Sequence, residues 1–119
     1  MVITTERSKA ECIHRANLSL DGLAIGDAWG EMFAYRSGKA RECVMNSTMP
    51  PKPWFHTDDT EMALAIVETI YRFDRVDQDA LAYRFASRFH HDPYRGYGKM
   101  ARIILEHILR NCPEISSRF

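Results

Sequence analysis

Two short acidic stretches stand out in this 119-residue chain, HTDDT at positions 56–60 and GDAWGE at positions 26–31. In the first, Thr57, Asp58 and Asp59 gather a hydroxyl and two carboxylates within three residues. Hard cations such as Mg²⁺ take oxygen ligands in such compact groups. Adjacent carboxylates repel one another unless a cation or a set of donors neutralises them, and burial sharpens that repulsion. A second account is equally physical: Asp58 caps a helix, with Glu61 three residues on, and acidic residues in a first turn suit the helix dipole. The two uses are compatible.

Asp27 is the next candidate. At 100° per residue it falls on the same helix face as Ile13, Ala16, Leu20 and Ala24. A carboxylate there must meet a donor or a cation. It therefore either bonds a neighbouring backbone or the TDDT turn, or takes part directly in a site. Glu31, one turn later, projects into the same space. His56 precedes the acidic turn and either touches a ligand or lies in a solvated loop. Trp54 and Phe55 either stack on a base or anchor their loop. The turn Arg95–Gly98, RGYG, either approaches a phosphate or simply joins two helices. His90, His91 and Asp92 have metal-ligand chemistry, but Pro93 marks them as the end of a helix.

The elements that must position these groups read as all-α, with four helices and no strand. The first opens at Ser8, with Glu11 at capping-box spacing, and runs to about residue 35. Gly22, Gly26 and Gly30 recur every four residues on its other side. Each costs a helix about 1 kcal/mol relative to alanine, so the ridge implies close approach by a backbone or ligand, and a helix buried on two sides. Residues 37–57, with three prolines, read as one long connecting loop. A second helix over about 59–73 has a narrow polar stripe of Glu61, Glu68 and Arg72 and is otherwise apolar. Asp77 caps a third, with Leu81, Phe85 and Phe89 at four-residue spacing. A fourth, over about 99–110, carries Met100, Ile103, Ile104 and Ile108.

Composition bounds the rest. The chain is one domain's worth, 45% apolar and 27% charged, and its sixteen basic residues balance sixteen acidic ones. No basic stripe supports nucleic acid or a membrane surface as a partner. Cys12, Cys43 and Cys112 lack metal-type spacing and read as reduced thiols. The polar start has no signal-peptide core, and the apolar run at 18–35 is interrupted by Asp21, Asp27 and Glu31. A soluble, cytoplasmic protein is expected.

GLAIGDAWG (22–30), HTDDTEMALA (56–65) and RGYG (95–98), in this order across a proline-bearing loop, resemble the ADP-ribosylglycohydrolase family over about residues 18–108. The resemblance implies an all-α fold and hydrolysis of the bond joining ADP-ribose to a protein side chain or related acceptor, with Mg²⁺ or sometimes Mn²⁺. It places Thr57, Asp58 and Asp59 as metal ligands. Asp58, Asp59 and Glu31 take catalytic roles, and Asp27, His56, Gly96, Tyr97 and Gly98 contact substrate. Two departures go with it. The glutamate many members carry seven residues after the GD aspartate is replaced by Ala34, with Glu31 the nearest glutamate. The second, DxDT-type ligand group does not occur before Phe119. The expectation is thus a single N-terminal portion of the fold, residues 1–119, with part of a metal site. Little or no hydrolase activity would follow, with a risk of self-association through uncovered apolar faces. The alternative is a non-catalytic helical module that binds a nucleotide-like ligand or a protein partner.

Overall fold

The computed structural model describes residues 8–34 and 37–111. Five helices follow in order: α1 (Lys9–Ala34), α2 (Ser37–Met45), α3 (Asp58–Phe73), α4 (Gln78–His91) and α5 (Lys99–Asn111). The described residues contain no strand, so the all-α expectation holds. None of their helices is long and apolar enough to cross a membrane.

α3 is the central element, packed between α1 on one side and α4 on the other, with α5 against α4. Its first turn begins at Thr57, whose extended backbone (φ −105°, ψ −166°) and hydroxyl cap the helix, accepting from Asp59 N. The cap is therefore Thr57 rather than Asp58, which is the first helical residue. α4 starts at Asp77 as expected, with Oδ1 accepting from Ala80 N at 3.1 Å. Ser8 accepts from Glu11 N at 3.2 Å ahead of α1.

Two sequence expectations need correction. The segment 37–57 is not one loop, because α2 occupies its first nine residues. Helix formers such as Lys39, Arg41 and Glu42 fill that part, and the prolines begin only at Pro50. In α1 the stripe Ile13, Ala16 and Leu20 does face α3, but the helix is not buried on two sides. Only Ala28 is buried, Ile25 is 62% exposed, and nothing lies within 4 Å of a Cβ placed on Gly22, Gly26 or Gly30. In α5 the residue that enters the core is Leu105, while Met100, Ile103 and Ile104 are more than half exposed.

The core lies between α3, α4 and α5, around Ala86, Phe89, Tyr97 and Leu105, flanked by Met62, Phe85, Ile108 and Leu109. Phe89 and Tyr97 meet edge to face, with centroids 5.0 Å apart at 84°. Arg102 ties the 93–97 turn to α5 through Nε to the Tyr97 carbonyl (3.0 Å) and Nη2 to the Pro93 carbonyl (2.7 Å). The α3–α4 seam is polar at its edge. Arg88 donates to Glu61 Oε2 (2.7 Å) and to Glu68 Oε1 (2.5 Å), and Arg84 donates to Glu68 Oε2 at 3.1 Å.

Candidate functional site

The site forms where α1 crosses the start of α3. Asp27 reaches across from α1 and accepts four hydrogen bonds. Thr57 N (2.7 Å) and Thr60 N (3.3 Å) donate to Oδ2, which Thr60 Oγ1 also reaches at 2.5 Å, while Thr57 Oγ1 donates to Oδ1 at 2.6 Å. This satisfies two of the amides that a helix start leaves unpaired. Burial pushes the Asp27 carboxyl up, but the bonds from Thr57 and Thr60 outweigh it and hold the group below the usual carboxylate range. The bond to the TDDT turn, one of the two readings of Asp27, is thus present.

The RGYG turn closes the other side. The Arg95 carbonyl accepts from Asp58 N at 2.7 Å. Gly96 has φ +88°, in the left-handed region, and a Cβ there would lie 3.5 Å from Asp58 Oδ1 and 3.8 Å from Thr57 Cβ. Glycine is favoured here by the backbone conformation, since those distances are ordinary van der Waals contacts. Tyr97 turns its ring into the core, and Gly98 offers its carbonyl to Arg102 N at 3.0 Å, opening α5. Gly96 therefore abuts the acidic turn directly, whereas Tyr97 and Gly98 support it from beneath.

Asp58 and Asp59 sit side by side at the head of α3. Burial first, then the negative charges of Asp59 and Asp27, raise the Asp58 carboxyl above its usual range, against the pull of its own backbone N–H and of Thr57. Thr57 donates its proton to Asp27 and accepts from Asp59 N at 3.4 Å, so one of its two lone pairs stays open. The resulting donor set is a neutral hydroxyl and two carboxylates, all hard oxygen, with charge repulsion that a divalent cation relieves. Among the described residues no group of three or more His, Cys, Asp or Glu side chains is placed to hold a metal ion. By donor chemistry, a hydroxyl and two carboxylates suit one part of a hydrated Mg²⁺ shell.

A cavity of ≈550 Å³ opens beside this turn, lined by Glu31, Phe55, His56 and Thr57 together with Asp92 and Tyr94–Gly96. It brings Glu31 and His56 to the same space as Thr57. The His56 ring places Nε2 2.7 Å from Glu61 Oε1, and its carbonyl accepts from Arg95 Nη1 at 3.1 Å. Arg95 Nε is paired with Asp92 Oδ2 at 2.7 Å. Asp92 ends α4, where its backbone N–H bonds to the Arg88 carbonyl. Trp54 donates to the Pro50 carbonyl at 3.1 Å and anchors its loop, while Phe55 is 62% exposed.

Sequence reasoning overlooked Thr60 and Arg88, and took Arg95 only as the start of the RGYG turn. Thr60 carried a signal, since the second threonine of TDDT repeats the first at one helical turn. Arg88 carried a fainter one: Arg84 and Arg88 are four residues apart on α4 and complement Glu61 and Glu68, seven apart on α3.

The ADP-ribosylglycohydrolase family model matches residues 8–118. The chain belongs to the ADP-ribosylglycohydrolase family. It is similar to ADP-ribosylhydrolase ARH3 of Homo sapiens, 36% identical over 101 residues covering 75% of this chain and 28% of that protein. The Bos taurus ARH3 is 26% identical over 119 residues, covering 89% of this chain and 33% of that protein. The Mus musculus ARH3 is 29% identical over 103 residues, covering 76% and 28%. This family member therefore spans about a third of the length of the curated relatives it matches. No solved structure matches the chain.

Proposed function

We propose that this chain carries one side of the magnesium site of an ADP-ribosyl hydrolase, acting on ADP-ribose attached to a protein side chain or related acceptor. The observation that carries this reading is Asp27. Its four hydrogen bonds to Thr57 and Thr60 join the GDAWG and TDDT motifs into one site. The family membership and the similarity to the ADP-ribosylhydrolase ARH3 proteins support the same reading.

Thr57, Asp58 and Asp59 would hold the cation. When bound, Mg²⁺ polarises oxygen ligands and lowers the pKa of water. The rest is done by the chain. Asp27 orients the Thr57 hydroxyl so that its free lone pair faces away from α1. The Arg95 carbonyl fixes the backbone of Asp58, and Gly96 leaves room beside the Asp58 carboxylate. Glu31 supplies a carboxylate on the cavity wall, positioned for proton transfer to or from a reacting group. Cytoplasmic residence and a single-domain organisation over residues 1–119 belong to the same proposal.

Calorimetric titration with Mg²⁺ tests the metal site. The expected result is weak binding, lost in the double variant Asp58→Asn, Asp59→Asn; an unchanged signal in that variant overturns it. Incubation with an ADP-ribosylated protein then tests the chemistry, with slow Mg²⁺-dependent release of ADP-ribose expected, abolished in the same double variant.

A further inference from the structure

One polar link at the site has no part in the scheme above. His56 lies directly before Thr57 and lines the cavity, and it is held at both ends. Its carbonyl accepts from Arg95 Nη1 at 3.1 Å, and its ring Nε2 lies 2.7 Å from Glu61 Oε1. Glu61 Oε2 in turn accepts from Arg88 Nη1 at 2.7 Å, with the Glu61 side chain only 14% exposed. A carboxylate is an acceptor only, so the nitrogen facing it must carry a proton. In the neutral imidazole the other nitrogen is then an acceptor. That second nitrogen, Nδ1, makes no hydrogen bond to the described residues, and a third of the side chain is exposed at a residue that lines the cavity.

We propose that Glu61, oriented by Arg88, is a positioning residue that fixes His56 in its Nε2–H form, so that Nδ1 accepts a hydrogen bond from a ribose hydroxyl of the substrate. The inference rests on the ADP-ribose reading of the site. The chemical demand is specific: an acceptor nitrogen beside the metal-holding turn recognises a donor hydroxyl, whereas an Nδ1–H form would repel that same proton. The arrangement parallels histidine ligands whose outer nitrogen is held by a carboxylate, where the partner sets tautomer and ring orientation.

Glu61→Gln separates this from simple packing. Arg88 is a donor only, so it draws the oxygen of the substituted amide toward itself and leaves the amide NH₂ facing His56 Nε2. An acceptor is then required at Nε2, and the ring proton moves to Nδ1. His56→Asn places an amide near the Nδ1 position, while His56→Gln places it near Nε2 and keeps the link to Glu61.

The experiment is long-range ¹H–¹⁵N NMR of the histidine rings in the full chain at mildly alkaline pH, followed by ADP-ribose titration with saturating Mg²⁺. Expected are an Nε2–H ring in the wild type and an Nδ1–H ring in Glu61→Gln. ADP-ribose affinity is expected to fall about fivefold in both Glu61→Gln and His56→Gln, the loss of one neutral hydrogen bond. His56→Asn is expected to keep most of the affinity. An Nδ1–H ring in the wild type overturns the inference, as does an unchanged ring in Glu61→Gln. Equal affinities for His56→Asn and His56→Gln overturn it while leaving the functional reading intact. No ADP-ribose binding by the wild type, with the ring proton on Nε2, instead sinks the functional reading and the hydroxyl role with it.

Discussion

Four donors converge on the Asp27 carboxylate, and two of them are backbone amides at the head of α3. Asp27→Ala leaves Thr57 N and Thr60 N without a partner at a half-buried junction, and about 2 kcal/mol of stability should be lost. Urea unfolding measures it, and a change below a few tenths would refute the assignment. Gly96 makes a second case, because φ +88° strains any side chain even though a Cβ would meet Asp58 only at ordinary contact distance. Gly96→Ala is expected to cost about 1–3 kcal/mol in the same assay. Tyr97 is a different kind of residue. Its hydroxyl is buried without a hydrogen-bond partner among the described residues, and burial, then the charges of Glu61 and Asp58, raise the phenol to about 12. The difference in ultraviolet titration between wild type and Tyr97→Phe should therefore appear near pH 12. Since the folded value lies above the unfolded one of about 10, the stability tied to it is full below about pH 10 and declines as pH rises toward about 12. Of these residues the sequence made Asp27 legible, because a carboxylate in an apolar stripe demands a donor. It could not choose which donor, since that depends on a crossing of α1 over α3 thirty residues away.

At the scale of elements, caps and periodicity were the readable signals. Asp77 before α4 is the clearest, with Oδ1 on Ala80 N and Oδ2 on Arg75 Nη2 at 2.9 Å. The amide of Ala80 first, then Arg75, holds its carboxyl below the usual range. A lowered folded-state value means that stability is present above the ordinary carboxylate pKa and is lost as pH falls through the folded one. Amides in the first turn of α4 should thus lose protection, taken relative to their intrinsic exchange rate at each pH, below about pH 4. Asp77→Asn, which still caps, should remove that pH dependence while keeping the helix; an exchange profile indifferent to Asp77→Asn would refute the link. Where the element reading failed, tertiary context was missing. α2 lacks an apolar stripe, so periodicity had nothing to detect in it. α5 offers large apolar residues around much of its circumference, and only packing against α4 selects Leu105 for the core and leaves Ile103 and Ile104 outside.

For the whole molecule, the relevant fact is how much apolar surface the five helices leave uncovered. The Cα radius of gyration is 17.9 Å, against about 13.5 Å for a compact domain of this length. α1 covers one face of α3 and is itself covered on one side only, which is why the glycine ridge meets nothing among the described residues. Between α3, α4 and α5 a groove of ≈360 Å³ is walled by Met62, Leu81, Phe85, Ile104 and Ile108, without a charged side chain. A wall of that character, continuous with the exposed Met100 and Ile103, favours association in water. Sedimentation velocity of the chain should show reversible association that grows with concentration. Ile104→Glu places a charge on the groove wall at a position already 53% exposed, so it should shift the distribution toward monomer while circular dichroism stays unchanged. A wild-type chain that sediments as a monomer across the concentration range would refute the expectation. A variant that associates as strongly as the wild type would instead move the contact to the α1 face, where Leu18, Leu23 and Ile25 remain exposed.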